Sequence, residues 1–196
     1  MKKICVLAGI LISLLVTGIV VNAKQSQMQQ ELAEEVFRFH VLANSDSKED
    51  QALKMQVKEA VIAYMKEEIP CSDSVETTKD WARTHLDAIV NLAEAVIMEE
   101  GYAYEVMAEV TTCDFPEKTY GDITFPSGEY EALRIEIGEA RGQNWWCVLY
   151  PNLCFIDAVH AVVPEEGKKD LKKVLEEDTY EMVTATSRFK IGWFFF

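Results

Sequence analysis

The chain has 196 residues, 49% of them hydrophobic, which allows one domain with a real core and argues against disorder. Its formal net charge is −14, and without residues 1–23 it falls to −16, from 17 basic against 33 acidic residues. Such a surface repels nucleic acid and anionic lipid headgroups, so neither is expected as a ligand.

Residues 1–23 read as a targeting segment. Lys2 and Lys3 precede an apolar run over 4–21, and Val21, Asn22 and Ala23 offer a small-residue cleavage site. The run is also just long enough to span a bilayer, so a cleaved signal peptide and a retained membrane anchor both stand. Either one places the rest of the chain outside the cytoplasm. Residues 24–35 are polar and rich in glutamine and read as a stalk. The exported domain then occupies 36–196.

In the domain, Phe37, Phe39 and Val41 alternate with Arg38 and His40, which predicts a strand over 36–43 with one apolar face. Ser47 followed by Asp50 has the spacing of a helix N-cap and opens a helix over 48–68, with Leu53, Val57, Val61, Tyr64 and Met65 on one face. Pro70 ends it. A second helix is expected over 75–100, striped by Trp81, His85, Ile89, Leu92 and Val96 and stopped by Gly101. Alternation predicts strands over 102–112 and 130–138. Residues 115–128 read as a long loop punctuated by Pro116, Gly121, Pro126 and Gly128. After Pro164 the residues Leu171, Val174 and Leu175 fall at helical spacing, and the aromatic tail 187–196 reads as a last strand.

Residues 142–157 hold two of the four tryptophans and two of the five cysteines. The apolar run 145–150 predicts a strand over 144–150 buried on both faces, with Trp145 and Trp146 on opposite sides and one of them among the most buried residues. It is expected to pair with 130–138 as an antiparallel hairpin. Export permits disulfides, and Cys71, Cys113, Cys147 and Cys154 allow three pairings. Cys147 with Cys154 is the preferred pair, because Pro151 between them favours a reversal. Closing so short a loop would contribute about 2.5 kcal/mol by chain entropy.

Catalytic and metal motifs are thin. His40, His85 and His160 lie far apart in sequence, and no Cys-x-x-Cys pair occurs, so no metal or cofactor is expected. A cysteine nucleophile would need Cys113, Cys147 or Cys154 beside a histidine, and no glycine-rich nucleophile turn precedes any of them. The acidic stretch 44–50 lacks the alternating oxygen ligands of a calcium loop, and helix capping accounts for it. The residues themselves favour an exported binding or signalling domain over an enzyme.

Four stretches carry a resemblance: Arg38-Phe39-His40-Val41-Leu42-Ala43-Asn44-Ser45-Asp46-Ser47 with Asp50-Gln51-Ala52-Leu53-Lys54; Phe115-Pro116-Glu117-Lys118-Thr119-Tyr120-Gly121; Phe125-Pro126-Ser127-Gly128-Glu129-Tyr130-Glu131-Ala132-Leu133; and 142–157. In this order they resemble the stage II sporulation protein R family. The resemblance implies a protein of endospore formation, made in the forespore and exported between the two septal membranes. There it would trigger a membrane-embedded aspartic protease of the mother-cell membrane, which processes an inactive sigma-factor precursor. No catalytic residue is implied for the chain itself. The competing reading is an exported hydrolase acting on cell-wall polymer in the same space.

The expected architecture is therefore a single α+β domain, two helices on one face of a mainly antiparallel sheet of four to five strands. Long ordered loops are often functional, and the 115–128 connection would present Tyr120, Phe125 and Pro126 to a partner. The alternative is that Tyr120 and Phe125 plug the end of the sheet.

Overall fold

The computed structural model describes residues 2–69, 74–151, 153–154, 163 and 165–185. The expectations for Pro70, Cys71, His160 and the 187–196 tail lie outside the described residues, as do half of the side chains of the 4–21 apolar run. Among the described residues, no helix is long and apolar enough to cross a membrane.

The element order is α1 (Lys2–Glu35), β1 (Phe37–Leu42), α2 (Lys48–Glu68), α3 (Val75–Thr84), α4 (Leu86–Glu99), β2 (Val106–Phe115), β3 (Lys118–Tyr120), β4 (Ile123–Phe125), β5 (Gly128–Ile137), β6 (Asn144–Tyr150), α5 (Glu165–Val174) and α6 (Glu177–Ala185). The α+β class and the four main strands are as expected. Ser47 caps α2 by accepting the Asp50 N–H at 3.0 Å. The expected 75–100 helix is instead two, broken at His85. There His85 leaves helical geometry, with φ −112° and ψ 12°, while the Thr84 hydroxyl donates to the carbonyls of Asp80 and Trp81 and His85 Nδ1 lies 2.7 Å from Trp81 O.

The sheet runs β2-β5-β1-β6. β2–β5 and β1–β6 are antiparallel, but β1–β5 is parallel, so the sheet is mixed. The expected hairpin between β5 and β6 does not form, because β1 lies between them. β1 is buried along its whole length, on the Arg38/His40 face as well as the apolar one, which makes it a central strand.

Both faces of the sheet are covered, which corrects the expectation of helices on one side alone. On the first face α2, α3 and α4 pack against Phe37, Phe39, Val41, Leu133, Ile135 and Leu149. On the second lie the end of α1, the β3–β4 hairpin, α5 and α6, around Phe115, Phe125, Tyr130, Val148, Leu171 and Val183. The loop expected over 115–128 is thus that hairpin, turning at Gly121, whose φ of 60° suits glycine.

Residues 24–35 are polar in composition, yet they are the last turns of α1 and dock on the domain. Leu32 is fully buried, Gln29 donates to the Tyr130 hydroxyl at 3.0 Å, and Glu31 accepts from the Glu176 N–H and the Thr179 hydroxyl. Trp145 and Trp146 do lie on opposite faces, against Phe39 and His40 respectively. Both are only half-buried. Among the described residues, the largest fully buried side chain is instead Arg38.

Candidate functional site: a caged arginine beside a thiol and an imidazole

Alternation along β1 sends Arg38 and His40 to the second face, where the hairpin closes over them. The Arg38 guanidinium carbon lies 4.3 Å from the centre of the Phe115 ring, 4.9 Å from Tyr130, 5.2 Å from Phe125 and 5.9 Å from Tyr120. Four rings from β2, β4, β5 and β3 therefore surround one cation, an arrangement favoured by the negative faces of aromatic rings. Nε donates to Cys147 O at 3.1 Å, and one terminal nitrogen donates to the Tyr120 hydroxyl at 3.2 Å. The other terminal nitrogen, Nη1, has no partner among the described residues. Burial lowers the Arg38 pKa from its usual value, and the neighbouring Tyr120 and Tyr130 partly restore it.

His40 is the next side chain along this face. Its ring stacks on Trp146 with centroids 4.8 Å apart and touches Phe115 at 5.2 Å. Nε2 lies 3.4 Å from Cys113 Sγ, and Nδ1 has no partner among the described residues. Burial, together with the positive charges of Arg134 and Arg38, pushes the imidazole pKa down to about 4. Burial also pushes the Cys113 thiol up. At neutral pH both partners are uncharged. A thiolate–imidazolium pair, the form in which cysteine enzymes are primed, is disfavoured on both sides. The cluster is built as a lock that fastens the hairpin to the sheet.

The residues singled out as partner contacts mostly belong to that lock. Phe125 is fully buried and cannot touch a partner, which corrects that expectation. Tyr120 is half-buried and bonded to Arg38. The carbonyl of Pro126 accepts the Tyr130 hydroxyl at 2.9 Å. The plug reading of Tyr120 and Phe125 is the one the geometry supports. Cys147 and Cys154 are positioned as a disulfide pair, with Cα atoms 5.7 Å apart. Among the described residues, no group of three or more His, Cys, Asp or Glu side chains could hold a metal ion.

The acidic turn before α2 is likewise structural. The Asp50 carboxylate accepts from Asn44 Nδ2 at 2.8 Å and from the Ser45 hydroxyl. Burial pushes its pKa up, but hydrogen bonds from Ser45, Asn44, Tyr104 and Ser47 outweigh this and hold it below the usual carboxylate value.

Sequence reasoning does not single out Arg38 or Tyr130, and it names Cys113 only as one of three cysteines that could stand beside a histidine. One signal was available: an arginine flanked by Phe37 and Phe39 in a short strand is a candidate for burial.

These elements define the class of the protein: an α+β domain whose mixed four-stranded sheet is covered on both faces. The chain belongs to the stage II sporulation protein R family, whose model, described as Stage II sporulation protein R, matches residues 33–160. It is 34% identical over 193 residues to the Stage II sporulation protein R of Bacillus subtilis (strain 168), covering 94% of this chain and 86% of that protein. It is thus a sporulation protein. No solved structure matches it significantly.

Proposed function

We propose that this sporulation protein is an exported signal. It is made in the forespore, enters the space between the septal membranes, and triggers a membrane-embedded aspartic protease of the mother cell. That protease then processes an inactive sigma-factor precursor. The carrying observation is the family match over residues 33–160. The lowered His40 pKa and the raised Cys113 pKa support a ligand rather than a hydrolase of wall polymer, since this pair is not primed as nucleophile and base.

The test is reconstitution. The full chain, the protease and the sigma precursor are expressed together in a host that does not sporulate. Processing should appear only when all three are present. Processing that is indifferent to the chain, or release of wall fragments by the purified domain, would defeat the proposal.

A further inference from the structure

The two edges of the sheet are treated differently by the chain. At the β6 edge, the Cys154 N–H donates to Val148 O at 3.0 Å, so the corner after the strand satisfies an outward carbonyl of a shorter strand. The β2 edge is ten residues long, and among the described residues β2 pairs with β5 alone. The Gly138 N–H donates to Glu105 O at 2.9 Å, which fixes the phase of the ladder. Odd-numbered residues of β2 point their backbone groups at β5. Ala108, Val110, Thr112 and Asp114 point theirs away, and among the described residues those groups meet no partner.

The side chains along this edge give the occupant a character. Protein edges are commonly blunted by lysine or proline, and β2 contains neither. Its charged residues are Glu109 and Asp114, both acidic. Met107, two residues from Glu109 and on the same face, is 64% exposed. Glu109 is only loosely engaged by Arg134, at 3.4 Å. A second copy of this chain is disfavoured as the occupant, because two domains of net charge −16 repel.

We infer that the β2 edge is a docking site for an extended segment of a partner protein in which a Lys or Arg stands two residues from an apolar side chain. Main-chain hydrogen bonds to Ala108, Val110 and Thr112 would supply affinity, and alternate side chains meeting Met107 and Glu109 would supply selectivity. This rests on the proposed action through a partner protein and names the surface that would carry it.

The experiment uses the full chain in the reconstituted system, with a benzophenone side chain in place of Thr112, or of Glu59 on α2 as a control. Crosslinking to the protease from 112 and not from 59 is expected. Thr112→Pro removes only an outward-facing N–H, and Glu109→Lys reverses the exposed charge. Each should lower processing by about tenfold, the scale of one lost hydrogen bond or close charge pair in an interface, at an unchanged melting temperature. If Thr112→Pro melts early, Glu109→Lys and the crosslink still decide. Normal processing by Glu109→Lys, or crosslinks from 112 only to a second copy of the chain, would overturn the inference. If the wild type fails to promote processing, the signalling reading falls, whereas crosslinking at 112 separately decides whether the edge docks a partner.

Discussion

Asn44 Oδ1 accepts the Glu139 N–H at 3.0 Å across a separation of 95 residues. The bond fastens the β5–β6 crossing over the end of β1. The Arg141 and Gly142 N–H groups donate to the carbonyls of Asn44 and Ala43, and the Gln143 N–H donates to Asp46 Oδ1. Gly142 is required by contact, since a Cβ there would lie 2.6 Å from the Ser45 carbonyl carbon. Gly142→Ala should cost about 1–3 kcal/mol, as overpacking against backbone does. Asn44→Ala should cost about 1–2 kcal/mol by stranding two hydrogen-bond partners. Urea unfolding midpoints check both, and a neutral Gly142→Ala would show that the crossing is free to move.

That crossing explains what the sequence could and could not reveal. Period-two alternation marks three strands, an unbroken apolar run marks β6, and Ser47 with Asp50 marks the start of α2, because these signals are local. The six residues between β5 and β6 read as a hairpin loop, since no local pattern reports that a strand 94 residues before β5 inserts between its arms. Arg38 and His40 looked like a polar face for the same reason. Their burial depends on the β3–β4 hairpin, whose three-residue strands are too short for periodicity to register. Cys113 came to lie beside His40 only through the β2–β5–β1 order.

The Arg38–Tyr120 bond changes what is expected of Tyr120. Tyr120→Ala would open the cage and leave a second guanidinium nitrogen without its partner, so the variant should melt early. Tyr120→Phe isolates the hydroxyl and should cost about 1 kcal/mol while keeping the ring over Arg38. Arg38→Lys retains charge but loses the planar fork that reaches Cys147 O and Tyr120 together, so it should destabilise by roughly 1–3 kcal/mol. Thermal melts of the three variants should rank Tyr120→Phe mildest. An Arg38→Lys protein as stable as wild type would remove the fork from the account.

Cys147 and Cys154 enclose a short loop at the covered sheet edge. Cys154→Ala should lower stability by about 2.5 kcal/mol in oxidising buffer and by nothing in reductant, since the contribution comes from restricting the unfolded chain. Equal urea midpoints for wild type with and without reductant would mean that the bridge contributes nothing.

The stacked pair His40 and Trp146 predicts a specific acid response. In the folded protein the His40 pKa is pushed down to about 4, whereas an unfolded histidine titrates near its usual value of 6.5. The unfolded chain therefore binds the extra proton between those values, and stability falls as pH drops through that window. Above about pH 6.5 the neutral ring costs nothing, and by about pH 4 the loss approaches roughly 3 kcal/mol. His40→Gln should flatten the dependence in this range, which urea unfolding at a series of pH values would show. Trp146→Ala should act in the same direction by a different route. It uncovers one face of the imidazole, so the His40 pKa should rise toward 6.5, readable in the ring proton shifts, although the variant is less stable at every pH. If the His40 pKa stays near 4 without the indole, burial by the remaining neighbours such as Phe115, with the charges of Arg134 and Arg38, holds it there, and the stacking on Trp146 serves packing alone.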